Sequence, residues 1–157
     1  MLLDVFLTLF LVGLNGFFVA AEFALVKVRS SQLEVRAGEG EKFAALALKI
    51  TRHLDAYLSA CQLGITLASL ALGWIGEKVV AAMIIKLIGF VGLHWSESLI
   101  HDVSLVIAFI LITTLHIVLG EQAPKTFAIN SAEKVSMAIA YPLNIFYTLF
   151  KPFIWGL

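Results

Sequence analysis

Gly120-Glu121-Gln122-Ala123-Pro124-Lys125 closes the apolar run Leu99–Thr126 and holds the side chains of this sequence best suited to chemistry. Proline has no N–H and its ring collides with the carbonyl four residues earlier, so Pro124 is expected to strip the Gly120 carbonyl of its helical partner. The freed oxygen would lie beside the Glu121 carboxylate. A carboxylate and a bare carbonyl are the hard oxygen donors that Mg²⁺ and Ca²⁺ take, and non-helical backbone at membrane depth is tolerated where it is buried in protein or lines a cavity. The segment reads as half of an ion site. It reads equally as a plain helix end, with Glu121 at the water boundary, Pro124 as a stop and Lys125 as an anchor.

Further polar groups come from two other apolar stretches. Ser59, Gln62, Thr66, Ser69 and Gly73 are spaced 3, 4, 3 and 4 and form a stripe on one helix face. Such a stripe either forms a polar lining that supplies oxygen ligands or lets membrane helices pack closely. Asn15 and Glu22 are seven residues apart, within about 20° of each other around a helix, so both face the same way. An ionisable side chain inside a span usually faces protein or water. Glu22 therefore lines an ion path or pairs with Lys27, Arg29 or another span. Thr113, His116 and Gly120 share a face, where His116 fits hydrogen-bonded packing better than ligation. His94, His101 and Asp102 match no strong metal motif.

These residues must be positioned by membrane helices. The 157-residue chain is 61% hydrophobic and 14% charged, with a mean hydropathy of +0.97; soluble domains run at roughly 45–50% and about 25%. The expected class is an all-α integral membrane protein with three transmembrane helices, at about 2–26, 56–76 and 101–121. Cytoplasmic juxtamembrane helices at about 42–54 and 126–155 complete it. The apolar character of residues 56–93 persists for 38 residues, about 57 Å as one helix and nearly twice the hydrocarbon thickness. A break is expected at Gly73-Trp74-Ile75-Gly76, followed by a short outer helix over Val79–Leu93, with Gly89, Gly92, His94 and Trp95 in the outer loop. Pro142 is expected to divide the C-terminal stretch into a helix-turn-helix; a fourth span through Val135–Leu157 is the alternative.

Lys27, Arg29, Arg36, Lys42, Lys49 and Arg52 mark the first long connection as cytoplasmic and the N-terminus as outside. The apolar opening is too long for a signal sequence and reads as a retained span. Zero formal net charge argues against a nucleic-acid partner. The single cysteine, Cys61, forms no intrachain disulfide. No His-Glu-x-x-His, Gly-x-Ser-x-Gly or serine–lysine pair within a span occurs, so no enzyme is expected.

Three ordered motifs, Asn15-Gly16-Phe17-Phe18-Val19-Ala20-Ala21-Glu22-Phe23-Ala24-Leu25-Val26, Gln62-Leu63-Gly64-Ile65-Thr66 and Gly120–Lys125, closely resemble those of the CorC/CNNM (hemolysin-related) transmembrane domain. The resemblance covers essentially the whole chain. It implies a homodimer in the lipid bilayer of the plasma membrane, with three spans per subunit, an outside N-terminus and a cytoplasmic C-terminus. It further implies Mg²⁺ transport, as efflux coupled to Na⁺ influx, and a cytosolic CBS-domain pair in the full-length protein that is absent here. By position it places the cation among the first-span motif, Ser59, Thr66, Ser69, Gly120 and Glu121. Many members carry a Ser-Gly-Ser-Glu type sequence where this chain has Val19-Ala20-Ala21-Glu22, and a small hydroxyl residue at the position of Lys27. Without transport, such a chain would be a membrane anchor or scaffold for the regulatory module.

Overall fold

The computed structural model describes Met1–Gly156; Leu157, the last residue of the alternative fourth span, lies outside the described residues. Those described residues are all-helical: α1 (Leu2–Lys27), α2 (Ser30–Gly38), α3 (Lys42–Arg52), α4 (Leu54–Val91), α5 (Glu97–Leu115), a π-helical turn (His116–Gln122), α6 (Ala123–Asn130) and α7 (Ala132–Trp155). Two helices are long and apolar enough to cross a bilayer, Leu2–Lys27 and the continuous Glu97–Asn130. Both turn large apolar side chains outward, including Phe6, Leu9 and Phe10 on the first and Val106, Phe109 and Ile110 on the second. On a soluble domain an apolar surface of that extent would be a liability; against lipid it costs nothing.

α1 is the central element and packs against α4, the π turn, α6 and α7. It runs antiparallel to α4. Phe18 lies against Gly64, Asn15 against Ser69 and Thr8 against Gly76. Phe18, Ala21, Ala24 and Leu25 of α1 form the main core with Leu33, Ala47, Ile50, Tyr57, Cys61, Ile139 and Leu143. A smaller cluster of Val12, Leu72 and Ile112 ties α1, α4 and α5 together further along.

The expected break at Gly73–Gly76 is absent, and α4 continues as one helix for 38 residues to Gly92, whose left-handed φ of 77° ends it. Neither glycine is a stop. Each costs about 1 kcal/mol relative to alanine in a helix, whereas a proline is what breaks the hydrogen-bond ladder. Gly76 also lets three helices meet, since a Cβ there would lie 3.0 Å from Ile112 and 3.4 Å from Thr8. Gly89 consequently belongs to α4, and the connection between α4 and α5 shrinks to residues 92–96 with His94 and Trp95 exposed.

Proline also acts differently from expectation in the C-terminal stretch. The turn falls at Ser131, and Pro142 and Pro152 both lie inside α7. Packing holds that helix together across Pro142. Tyr57 of α4 donates to Asn144 Oδ1 at 2.7 Å and stacks on Tyr147 at 4.3 Å between ring centroids. Phe146 meets Phe18 at 4.7 Å, and Phe43 of α3 meets Tyr141 edge-on at 5.0 Å. Arg36 of α2 pairs with Glu133 of α7 and with Glu41. The Glu133 carboxylate, and behind it Glu41, raises the guanidinium pKa above its ordinary value.

A Cβ on Gly64 would fall 2.6 Å from the Phe18 ring, whereas one on Gly73 meets nothing within 4 Å. Gly64→Ala is therefore expected to destabilise the protein by about 1–3 kcal/mol through overpacking, while Gly73→Ala is expected to stabilise it by up to about 1 kcal/mol. Thermal melting of the two variants in the same detergent checks the pair.

Candidate functional site

Pro124 has the backbone effect its chemistry demands, but the structure resolves it differently from a bare carbonyl. The helix widens into the π turn, in which the Ala123 N–H reaches back five residues to the Val118 carbonyl. Single π turns of this kind recur at functional sites because they re-aim backbone and side chains within an otherwise regular helix. The Gly120 carbonyl is not left unpaired. Asn15 Nδ2 of α1 donates to it at 2.8 Å, in a buried contact 105 residues away in sequence.

Close approach of the two backbones makes that bond geometrically possible. A Cβ on Gly16 would stand 2.9 Å from Pro124 Cγ, and one on Gly120 would stand 3.0 Å from the His116 ring and 3.2 Å from Asn15 Nδ2. Small residues at helix crossings in membranes serve this purpose. Asn15 is only 1% exposed, so both ends of its amide have to be satisfied within the protein.

The proton assignments follow in one direction. A carbonyl accepts only, so the amide NH₂ of Asn15 must face Gly120 and its Oδ1 must face α4. Ser69 Oγ lies 3.0 Å from that Oδ1 and donates to it. With its proton committed there, Ser69 can only accept from His116 Nε2, 3.4 Å away. The imidazole therefore carries a proton on Nε2. The chain His116–Ser69–Asn15–Gly120 leaves the π turn, crosses α4 and α1, and returns to the π turn.

Beside this loop lies a cleft of about 320 Å³ lined by Asn15, Val19, Glu22, Phe23, Ile65, Ser69, His116 and Glu121. Asn15 and Glu22 share a face as their seven-residue spacing requires, and Glu121 joins them from the π turn. The α4 stripe divides. Ser69 turns into the cleft, whereas the exposed Thr66 donates its hydroxyl to the Gln62 carbonyl of its own helix at 2.9 Å. Gln62 and Gly73 are exposed and Ser59 is half-buried; none of these lines the cleft. Lys125 is not in the lining but stands over the ring of Phe23, which is, 4.7 Å from its centroid. The apolar wall of Val19, Phe23 and Ile65 was not legible as part of a site, because such residues carry no signal distinguishing lining from core.

Chemically, the cleft offers two carboxylates, an imidazole and a hydroxyl, with the amide and the Gly120 carbonyl already bonded to each other. Among the described residues no three of His, Cys, Asp and Glu cluster closely enough to hold a metal ion by themselves. An ion in the cleft would keep part of its water shell. Near the start of α5, His101 and Asp102 stand 3.6 Å apart and exposed.

An all-helical bundle with two long, outwardly apolar helices and a carboxylate-lined cleft at a π turn is a membrane domain. The chain belongs to the Cyclin M transmembrane N-terminal domain (CNNM) family, which it matches over residues 6–157. It is 49% identical over 147 residues to the UPF0053 protein YrkA of Bacillus subtilis, covering 94% of this chain and 33% of that protein. YhdP of the same organism is 47% identical over 154 residues, covering 98% and 34%. A more distant relative, a polyamine export protein of Haemophilus influenzae, is 27% identical over 136 residues, 87% of this chain and 31% of that protein. The chain thus spans about a third of the length of the curated relatives it matches.

Removing the donor to Gly120 leaves a backbone carbonyl buried without a partner, which costs about 1–3 kcal/mol. Asn15→Leu is expected to lower the melting temperature accordingly. Asn15→Asp should do the same when ionised, since a carboxylate has no proton to give Gly120. Equal melting curves for Asn15→Leu and the parent protein would contradict the assignment.

Proposed function

We propose that this chain is the membrane domain of a cation transporter whose substrate binds in the cleft between α1, α4 and the π turn. The observation that carries the reading is the convergence of Glu22 and Glu121 on one cleft, at a point where an apolar membrane helix has lost its regular backbone pattern. Ionisable groups are costly inside a bilayer and are retained there chiefly for ion or proton pathways. In this reading α4 is the third span beside α1 and α5–α6, and α3 and α7 lie along the cytoplasmic face. The N-terminus is outside and the C-terminus cytoplasmic, in the plasma membrane, and two copies form a homodimer attached to CBS domains in the full-length protein.

Mg²⁺ is the proposed cargo, exported against Na⁺ influx. It holds its water reluctantly and is commonly bound through one or two carboxylates with several waters retained, which suits a cleft of about 320 Å³ with two carboxylates and a hydroxyl. Glu121 and Glu22 supply the charge. Ser69 supplies a neutral oxygen, and Gly120 offers the second lone pair of its carbonyl. Ser59, Gln62 and Thr66 lie on α4 outside the cleft lining, where a partner subunit would meet them.

A second reading is favoured by the apolar wall. Val19, Phe23 and Ile65 offer a metal ion nothing, but they suit the methylene spacers of an organic polycation whose ammonium groups pair with Glu22 and Glu121. Phe23 adds a cation–π surface already used by Lys125. The distant relative is named as a polyamine exporter.

The test is flux from liposomes loaded with Mg²⁺ or spermidine. Glu121→Gln and Glu22→Gln are each expected to abolish transport of the cargo while the protein still folds. In parallel, whichever cation raises the melting temperature of the parent protein, and no longer that of Glu121→Gln, is the cargo, because a ligand bound only by the folded state stabilises it. Unchanged flux in Glu121→Gln overturns the transport site and leaves a membrane anchor; in that case Ser69→Ala lowers stability without changing any response to cations.

A further inference from the structure

A second cleft lies outside the cation site, where the two long apolar helices end. It measures about 390 Å³ and is lined by residues 27–29, Gln32 and residues 129–134. α1 ends at Lys27 and the Glu97–Asn130 helix ends at Asn130, so both membrane-crossing helices deliver their last residues to this one place. Its depth is therefore that of the lipid headgroups.

Its charge is one-sided. Lys27, Arg29 and Lys134 line the cleft, and among the described residues none of them makes an ion pair. The one carboxylate in the lining, Glu133, is held by Arg36 of α2 and its charge is compensated.

The backbone reinforces this. α7, 24 residues long, begins in the cleft at Ser131–Ala132, and α2 begins there at Arg29–Ser30; neither first turn is capped by a side chain. The first N–H groups of a helix lack intrahelical acceptors and carry the positive end of its dipole. Three cations without carboxylate partners and two uncapped helix starts thus converge on a cavity at headgroup depth.

We propose that this cleft binds the phosphate of an anionic membrane lipid, with Lys27, Arg29 and Lys134 as the charged contacts and the first turns of α2 and α7 as backbone donors. Phosphate is the chemistry both contributions select: amide groups at helix starts cradle its oxygens, and the guanidinium of Arg29 matches two of them at once. The acyl chains then lie along the exposed apolar sides of α1 and α6, which carry Val26 and Phe127 outward next to the cleft. A lipid held there bridges α1, α2 and the α6–α7 turn, beside the ion pair between Arg36 and Glu133. The proposal is independent of which cation occupies the other cleft.

Fluorescent phosphatidylglycerol titrated into the full chain in detergent tests it, with unlabelled phosphatidylglycerol, phosphatidylcholine and inorganic phosphate as competitors. Lys27→Gln, Arg29→Gln and Lys134→Gln together should weaken binding on the order of a hundredfold, at about fivefold for each cation near the membrane surface. Lys27→Arg with Lys134→Arg should retain it. Lys42→Gln with Lys49→Gln, on α3 away from the cleft, should also retain it. Should the triple variant fail to fold by circular dichroism, Arg29→Gln alone decides, with its fivefold loss. Equal affinity in the parent and the variants, or displacement by phosphatidylcholine as effective as by phosphatidylglycerol, overturns the proposal. Displacement by millimolar inorganic phosphate that depends on the three cations overturns the lipid as source and leaves a soluble phosphate in its place.

Discussion

A backbone carbonyl in a membrane helix has to be hydrogen-bonded, because hydrocarbon offers no water to replace a lost partner. Pro124 removes the partner of Gly120 by lacking an N–H, and the rest of the site follows from how that loss is repaired. Asn15 supplies the replacement donor from another helix. To reach, it needs glycine on both sides of the crossing, at Gly16 and Gly120. Its own carbonyl oxygen, now committed to the α4 side, draws in Ser69, and Ser69 in turn orients His116. One missing proton on one nitrogen thus propagates through three helices and fixes the geometry beside which Glu22 and Glu121 stand.

That repair is possible because α1 is packed against α4, the π turn, α6 and α7. Its alanines, Ala21 and Ala24, are fully buried and let neighbouring helices approach closely, while Phe18 fills the gap left by Gly64. The outward faces of the bundle are apolar and need no complementary protein surface. Two concentrations of polar groups stand out, the cleft at the π turn and the cationic cleft where the long helices end. In a membrane protein this segregation is forced by solvation: a polar side chain turned to lipid loses its hydration without recompense.

The parts of this arrangement visible in the sequence are those governed by local chemistry. The effect of Pro124 on Gly120, the shared face of Asn15 and Glu22 and the helical character of residues 42–52 follow from residue type and the 3.6-residue period alone. The parts that were not visible depend on partners far away in the chain. Nothing local says that Asn15 takes up the carbonyl Pro124 freed, since the two are more than a hundred residues apart. The α4 stripe looked uniform because spacing reports only a common face; which neighbour that face meets separates Ser69 from Thr66. Pro142 and the glycines of α4 looked like punctuation, yet aromatic packing around Asn144–Tyr147 and contacts with Thr8 and Ile112 carry both helices through.

The same hydrogen-bonded loop constrains how the site could change shape. On the transport reading, access has to alternate between the two faces of the membrane around the bound ion, and interrupted helices are where such proteins build the site itself. Were the π turn to rewind to a regular α-helix and carry Gly120 away from Asn15, the amide and the carbonyl would both be left buried and unpaired, at a cost of about 1–3 kcal/mol each. A cation that recruits the Gly120 oxygen compensates half of that cost, and water reaching Asn15 through the open cleft compensates the rest. On that reading occupancy and backbone geometry are linked through a single acceptor atom, whose other claimant is the amide of α1.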